Sequence, residues 1–160
     1  MLRGVAYGNG LTAFLRIVLG LLFVVSGAEK TLDPVAFGKI VEIYGGLPRE
    51  LAPFAAVGVP SVELLAGGLL AAGYRIRPAA LIISALLAIY VAAVGYNYAF
   101  GRSFDCGCIG LAGLGLFEQV GPALIARDLI LFAVSLVLFR AKKHAASIEA
   151  LAERIRLREL

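Results

Sequence analysis

Four long apolar runs, at residues 11–28, 51–72, 79–100 and 123–139, follow one another along the chain, separated by shorter polar stretches. Each approaches the roughly 17–25 residues that a helix needs to cross about 30 Å of hydrocarbon at about 1.5 Å per residue. Inside lipid the backbone has to satisfy its own hydrogen bonds, so runs of this kind are helices. Tyr74-Arg75-Ile76-Arg77-Pro78 forms a tight polar connection between the second and third. Pro122 suits the opening turn of the fourth, where a missing N–H costs nothing. Beyond residue 140 the pattern changes. Ile148, Leu151 and Ile155 recur at helical spacing, with Glu149, Glu153, Arg154, Arg156 and Arg158 largely on other faces. The pattern predicts an all-α fold: an integral membrane four-helix bundle over 1–140, then a cytoplasmic amphipathic helical tail over 141–160. Such a tail rests on the membrane surface and serves as an anchor or as a docking helix.

Composition supports lipid as the solvent. Of 160 residues, 61% are hydrophobic and 16% charged, against about 45–50% and about 25% in soluble domains. A domain this small leaves too much surface exposed to hide that excess. The net charge of +4 comes from basic residues scattered over loops and tail rather than gathered in a patch, which argues against nucleic acid. Their distribution chooses an orientation instead. Arg3, Arg75, Arg77, Arg140, Lys142, Lys143, Arg154, Arg156 and Arg158 fall on one side, nine in all; Lys30, Lys39, Arg49, Arg102 and Arg127, five in all, fall on the other. The positive-inside rule then predicts a multi-pass protein of the cell (inner) membrane with both termini cytoplasmic and loops 29–50 and 101–122 outside. Tyr96, Tyr98, Phe100 and Phe104 form an aromatic belt at the outer end of the third helix. Ser26-Gly27-Ala28 offers small residues at a signal-peptide cleavage point, but the length of the first run and its Arg16 favour a retained span.

The two cysteines stand together in the last outer loop, as Asp105-Cys106-Gly107-Cys108. A disulfide between residues two apart closes a small ring, because the Cα atoms have to approach within about 4.4–6.8 Å. Gly107 supplies the turn freedom. A bridge spanning one residue stabilises little, since loop-closure entropy grows with loop length. Strained, exposed disulfides are the labile or catalytic ones. Reversible thiol–disulfide exchange by Cys106 and Cys108 is the leading reading, beside capture of a soft ion such as Cu(I) or Hg(II) and beside buried thiols that serve only packing. Zinc needs about four ligands, and the single histidine, His144, lies on the opposite side. With no second cysteine pair to relay electrons, a redox cycle needs an extracytoplasmic client or carrier protein, with a quinone or another protein as electron acceptor. Asp105 disfavours a thiolate there; Arg102 or Arg127 favours one.

Charges inside the spans are the remaining candidates. Arg16 in the first helix and Glu63 in the second lie at depths that let a long arginine reach the carboxylate. An unpaired charge there costs at least about 2.5–3.5 kcal/mol. Such a pair fixes helix packing or lines a polar pocket for a quinone head group or a proton. Arg127 and Asp128 fall in the second turn of the fourth helix. Adjacent residues diverge by about 100°, so they need not pair with each other, and both suit a position beneath the cysteine loop. Glu29 and Lys30 end the first helix, as interface anchors or as tuning charges. Gly67, Gly68, Ala71 and Ala72 make small-xxx-small pairs suited to close helix packing.

In the order of its motifs the chain resembles the DoxX-like membrane proteins, and among them the MauE branch. The resemblance rests on Arg16 with Gly20-Leu21-Leu22-Phe23, and on Ser26-Gly27, Lys30 and Asp33-Pro34. It continues through Tyr44, Leu47-Pro48, Pro60, Glu63, Gly67, Asp105-Cys106-Gly107-Cys108 with Gly110, and Arg127-Asp128. It implies a four-helix membrane bundle with a part in maturing periplasmic enzymes; for methylamine dehydrogenase, that means assembling a small subunit rich in disulfides. Cys106 and Cys108 carry over as redox residues, and Arg16, Lys30, Glu63, Arg127 and Asp128 as motif residues. Ile109 replaces the usual phenylalanine after the second cysteine, and the basic tail has no counterpart in the family. Three functions stand at this point: thiol–disulfide exchange, a membrane scaffold or assembly subunit, and soft-metal capture. Homo-oligomerisation is compatible with each.

Overall fold

The computed structural model describes residues 9–102 and 121–141. They form five α-helices: α1 Asn9–Leu32, α2 Pro34–Tyr44, α3 Ala52–Ala72, α4 Ile76–Ala99 and α5 Pro122–Arg140. Four of them are long and apolar enough to cross a membrane, over Gly10–Leu32, Ala52–Ala72, Ile76–Ala99 and Pro122–Arg140. The chain is an all-α, multi-pass membrane protein. Segment 103–120, which holds Phe104, Asp105, Cys106, Gly107 and Cys108, lies outside the described residues, as do 142–160 and so nearly all of the predicted tail.

The helices sort their faces by packing. On α1 the buried positions are Thr12, Arg16, Leu19, Gly20, Phe23, Ser26, Gly27 and Lys30, a three-and-four spacing that keeps one stripe on one side of the helix. The remaining faces carry Leu11, Phe14, Ile17, Leu21 and Val25, all exposed. Large apolar side chains outside and polar ones inside suit a bundle whose surroundings are lipid.

The buried stripe meets α3 at close range. A Cβ on Gly20 would stand 2.7 Å from the Gly67 carbonyl oxygen, and one on Gly67 2.7 Å from that of Gly20. Two glycines face to face therefore let the backbones touch. Ala71 borders this contact, whereas Gly68 faces open space. At the far end of α3, Gly73 adopts φ 76°. Tyr74 N–H donates to the Leu69 carbonyl at 3.0 Å and Gly73 N–H to that of Leu70 at 3.1 Å, the paired bonds that stop a helix at a left-handed glycine. α4 begins three residues later, with Arg77 and Pro78 in its first turn rather than in the connection before it.

α1 also runs past its predicted end, to Leu32, because Lys30 is accommodated inside the bundle. The next element was read from sequence only as part of the outer loop 29–50. The Asp33 side chain accepts from Ala36 N–H at 2.9 Å, and Pro34 fills the first helical position, so Asp33 alone separates α2 from α1. α2 packs on the first half of α3, with Phe37 buried and Gly38 facing Ala56. Its last carbonyl, on Tyr44, accepts from Asn97 Nδ2 of α4 at 2.8 Å. On the other side of the bundle α4 and α5 run antiparallel, joined by a 2.7 Å hydrogen bond between Ser84 Oγ and Ser135 Oγ. Leu87 and Leu138 lie in the main buried core, and Val94 packs with Leu124.

Candidate functional site

Toward the end of α1 the buried stripe turns polar, with Ser26 and Lys30. Glu63 lies eleven residues into α3, about 16 Å along the helix axis, and is 0% exposed. Lys30 is rooted close to the end of α1, where a lysine ordinarily reaches outward to water. Here it reaches inward. Its Nζ donates to Glu63 Oε2 at 3.0 Å, to Oε1 at 3.1 Å, and to Ser26 Oγ. Ser26 Oγ donates in turn to Glu63 Oε2 at 3.3 Å, and Tyr90 of α4 donates its hydroxyl to Oε1. Each carboxylate oxygen thus receives two donors, which fills the roughly four lone-pair sites of an ionised carboxylate. The ammonium also lies over the rings of Tyr90 and Phe37, 5.5 Å and 5.6 Å from their centroids, so α2 closes the cluster by cation–π contact.

A second carboxylate stands beside it on α5. The hydroxyl pair Ser84–Ser135 sets the register of α4 against α5. Asp128, two turns from Ser135, therefore comes level with Tyr90. It interacts electrostatically with Tyr90 and with Lys30. Asp128 is 1% exposed, and its Oδ1 accepts from Arg127 Nη2 at 3.0 Å and Nε at 3.2 Å. Its Oδ2 is buried with no hydrogen-bond partner among the described residues. The Arg127 side chain is about one-third exposed, and so carries the charge of the pair toward the edge of the bundle. Lys30, Glu63, Arg127 and Asp128 together are neutral, which suits their depth.

The sequence-predicted residues divide accordingly. Lys30 and Glu63 come together, and Asp128 lies next to them. Depth along each helix matched Arg16 to Glu63, but the structure separates them. Arg16 is buried against Gly73 at the other end of α3, ten residues or about 15 Å from Glu63. Arg127 and Asp128 pair with each other after all, because the arginine side chain is long enough to fold back over the 100° step. Glu29 is half-buried at the end of α1. Asp105, Cys106, Gly107 and Cys108 lie outside the described residues. Two members of the cluster were not singled out from sequence. Tyr90 is a lone phenol in the middle of an apolar span, where its hydroxyl needs a partner; that was the available signal. Phe37 gave none, since its helix was not anticipated. Tyr96, Tyr98 and Phe100 are exposed at the end of α4, as a belt requires.

Quinone carbonyls need hydrogen-bond donors; Lys30, Ser26 and Tyr90 direct theirs at Glu63 and at one another rather than at a quinone head group. The open atom, Asp128 Oδ2, is an acceptor.

The family profile described as "Methylamine utilisation protein MauE" matches residues 9–141, a span that contains every candidate site residue named above. The methylamine utilization protein MauE of Paracoccus denitrificans is 35% identical over 126 residues, which is 78% of this chain and 66% of that protein. The chain thus spans just under two-thirds of this relative's length. No solved structure matches the chain.

Proposed function

This chain belongs to the MauE family, and on that premise we propose that it is a membrane thiol–disulfide redox protein with Cys106 and Cys108 as its exchanging pair. It serves disulfide formation, or maturation more broadly, in an extracytoplasmic protein of methylamine utilisation, the process for which its Paracoccus relative is named. Both termini are cytoplasmic, the membrane is the inner one, and the family is a branch of the DoxX-like proteins. Residues 1–140 act as one unit with 141–160 as an appended tail.

The observation that carries this reading is the position of the two cysteines of the chain, one residue apart in the connection between α4 and α5. α4 ends and α5 begins at the end of the bundle where α1 stops and α2 covers Lys30. In the forward cycle a client thiolate attacks the Cys106–Cys108 disulfide, forming a mixed disulfide and releasing one thiolate of the pair, which takes up a proton. The client's second thiol loses its proton and attacks the mixed bond. A client disulfide forms, the second thiolate of the pair leaves and takes up that proton, and the pair is left as a dithiol. The client loses two electrons and the pair gains them. The disulfide of a carrier protein restores the pair by the same exchange in reverse.

Thiol trapping of the purified protein across a glutathione series tests this. A potential near about −200 mV or higher fits a labile, disulfide-donating pair; a value below about −300 mV is that of a stable bridge and counts against donation. Replacing both cysteines by serine abolishes client maturation if the reading holds. Maturation that survives the change leaves a scaffold role instead.

A further inference from the structure

The two buried carboxylates differ in a way that bears on which of them handles protons. Glu63 has two donors on each oxygen. A proton placed on it would displace one of those hydrogen bonds and leave the Lys30 ammonium without its counter-charge. Asp128 is equally buried, but only Oδ1 is engaged, by Arg127. Oδ2 has no partner among the described residues. An ionised carboxylate with one bare oxygen is costly at that depth, and a proton on the bare oxygen removes the charge without breaking either bond to Arg127. The Arg127 guanidinium is part-exposed and, unlike the buried Lys30 ammonium, loses its counter-charge within reach of polar surroundings. Among the described residues the charged and titratable groups around it are Arg127 on α5, Lys30 on α1 and Tyr90 on α4, with Glu63 of α3 bound to the last two. Lys30 and Tyr90 are both committed to Glu63.

We infer that Asp128 is a proton-exchange site inside the bundle: Oδ2 binds and releases a proton while Glu63 remains a charge-paired anchor. For its purpose the inference rests on the thiol–disulfide reading. Each thiol that attacks a disulfide sheds one proton, and each thiolate that leaves takes one up. Asp128 Oδ2 holds that proton between the two events, so the exchange is balanced with no further reactant. Asp128 is six residues into α5, about 9 Å from the start of that helix.

The test uses the full-length protein in lipid nanodiscs and acid-induced infrared difference spectra, with isotope labels at the side-chain carboxyl of aspartate or of glutamate. Acidification is expected to raise a carboxylic acid C=O band that shifts with the aspartate label and not with the glutamate label. Asp128→Glu, a conservative change, is expected to move that component into the glutamate-labelled set, and Asp128→Asn to remove it. A buried-acid band that follows the glutamate label in the wild-type protein overturns the inference. So does an aspartate component that survives Asp128→Glu undiminished. In the Cys106→Ser/Cys108→Ser protein the Asp128 band persists. Client maturation in that variant judges the thiol reading separately, so the two fail by different measurements.

Discussion

The seam between α1 and α3 and the seam between α4 and α5 bury polar groups at similar depth, and they treat them differently. On the first, Gly20 and Gly67 bring the backbones into contact, and Glu63 is held by donors from α1 and α4 until no acceptor site remains. On the second, the closest polar link is a single hydroxyl pair, Ser84–Ser135, and Asp128 keeps one oxygen bare. Burial is the same, at 0% and 1% exposure; completeness of hydrogen bonding is not. A saturated carboxylate gains nothing from binding anything further and acts as a fastener. A half-saturated one is poised to take a proton.

The largest effect should come from breaking the saturated side. Lys30→Ala leaves Glu63 buried without its cation and is expected to destabilise the bundle by about 3–5 kcal/mol, read as a lower unfolding midpoint in detergent. Lys30→Met with Glu63→Leu removes both charges and should recover most of that loss. If the double variant is no better than the single, the cluster is not the simple fastener described. Gly67→Val drives a side chain into the Gly20 backbone and is expected to cost about 1–3 kcal/mol through overpacking. The same change at Gly68, which faces open space, should be near neutral by the same assay, and equal losses at both sites would refute the register. Smallest is Ser84→Ala on the second seam, at about 0.6 kcal/mol, because Ser135 retains its 2.8 Å bond to the Phe132 carbonyl. A loss several times larger would show the α4–α5 seam to be as tightly fastened as the other.

The spans were legible because hydrophobic run length maps directly onto bilayer thickness, and their observed ends differ from the predicted ones by a few residues. The pairing across helices was not. Counting residues measures depth, but the partner of Arg16 depends on how α1 slides against α3, and that register is set by which glycine of the Gly67-Gly68 pair faces Gly20. Nothing in the composition ranks one above the other. α2 was readable in principle: Asp33 followed by Pro34 is a helix start, obscured because the segment between two spans was read as a loop. Tyr90 was lost among apolar neighbours, although a phenol at mid-span carries the same demand for a partner as a charge. For Cys106 and Cys108 the sequence remains the guide, since their segment lies outside the described residues.

The inward reach of Lys30 has a consequence for how the protein is made. Its partner Glu63 lies 33 residues further along the chain, so at about 5–20 residues per second the lysine emerges roughly 2–7 s before the carboxylate that will neutralise it. During that interval α1 sits in the bilayer with a cation near its end, and the headgroup region is the favourable place for it. In the finished bundle the ammonium points inward to Glu63, with the Phe37 ring centroid 5.6 Å from it. The ion pair between the first two spans therefore cannot close until Glu63 has been made, and a ribosomal pause between residues 30 and 63 would lengthen that wait.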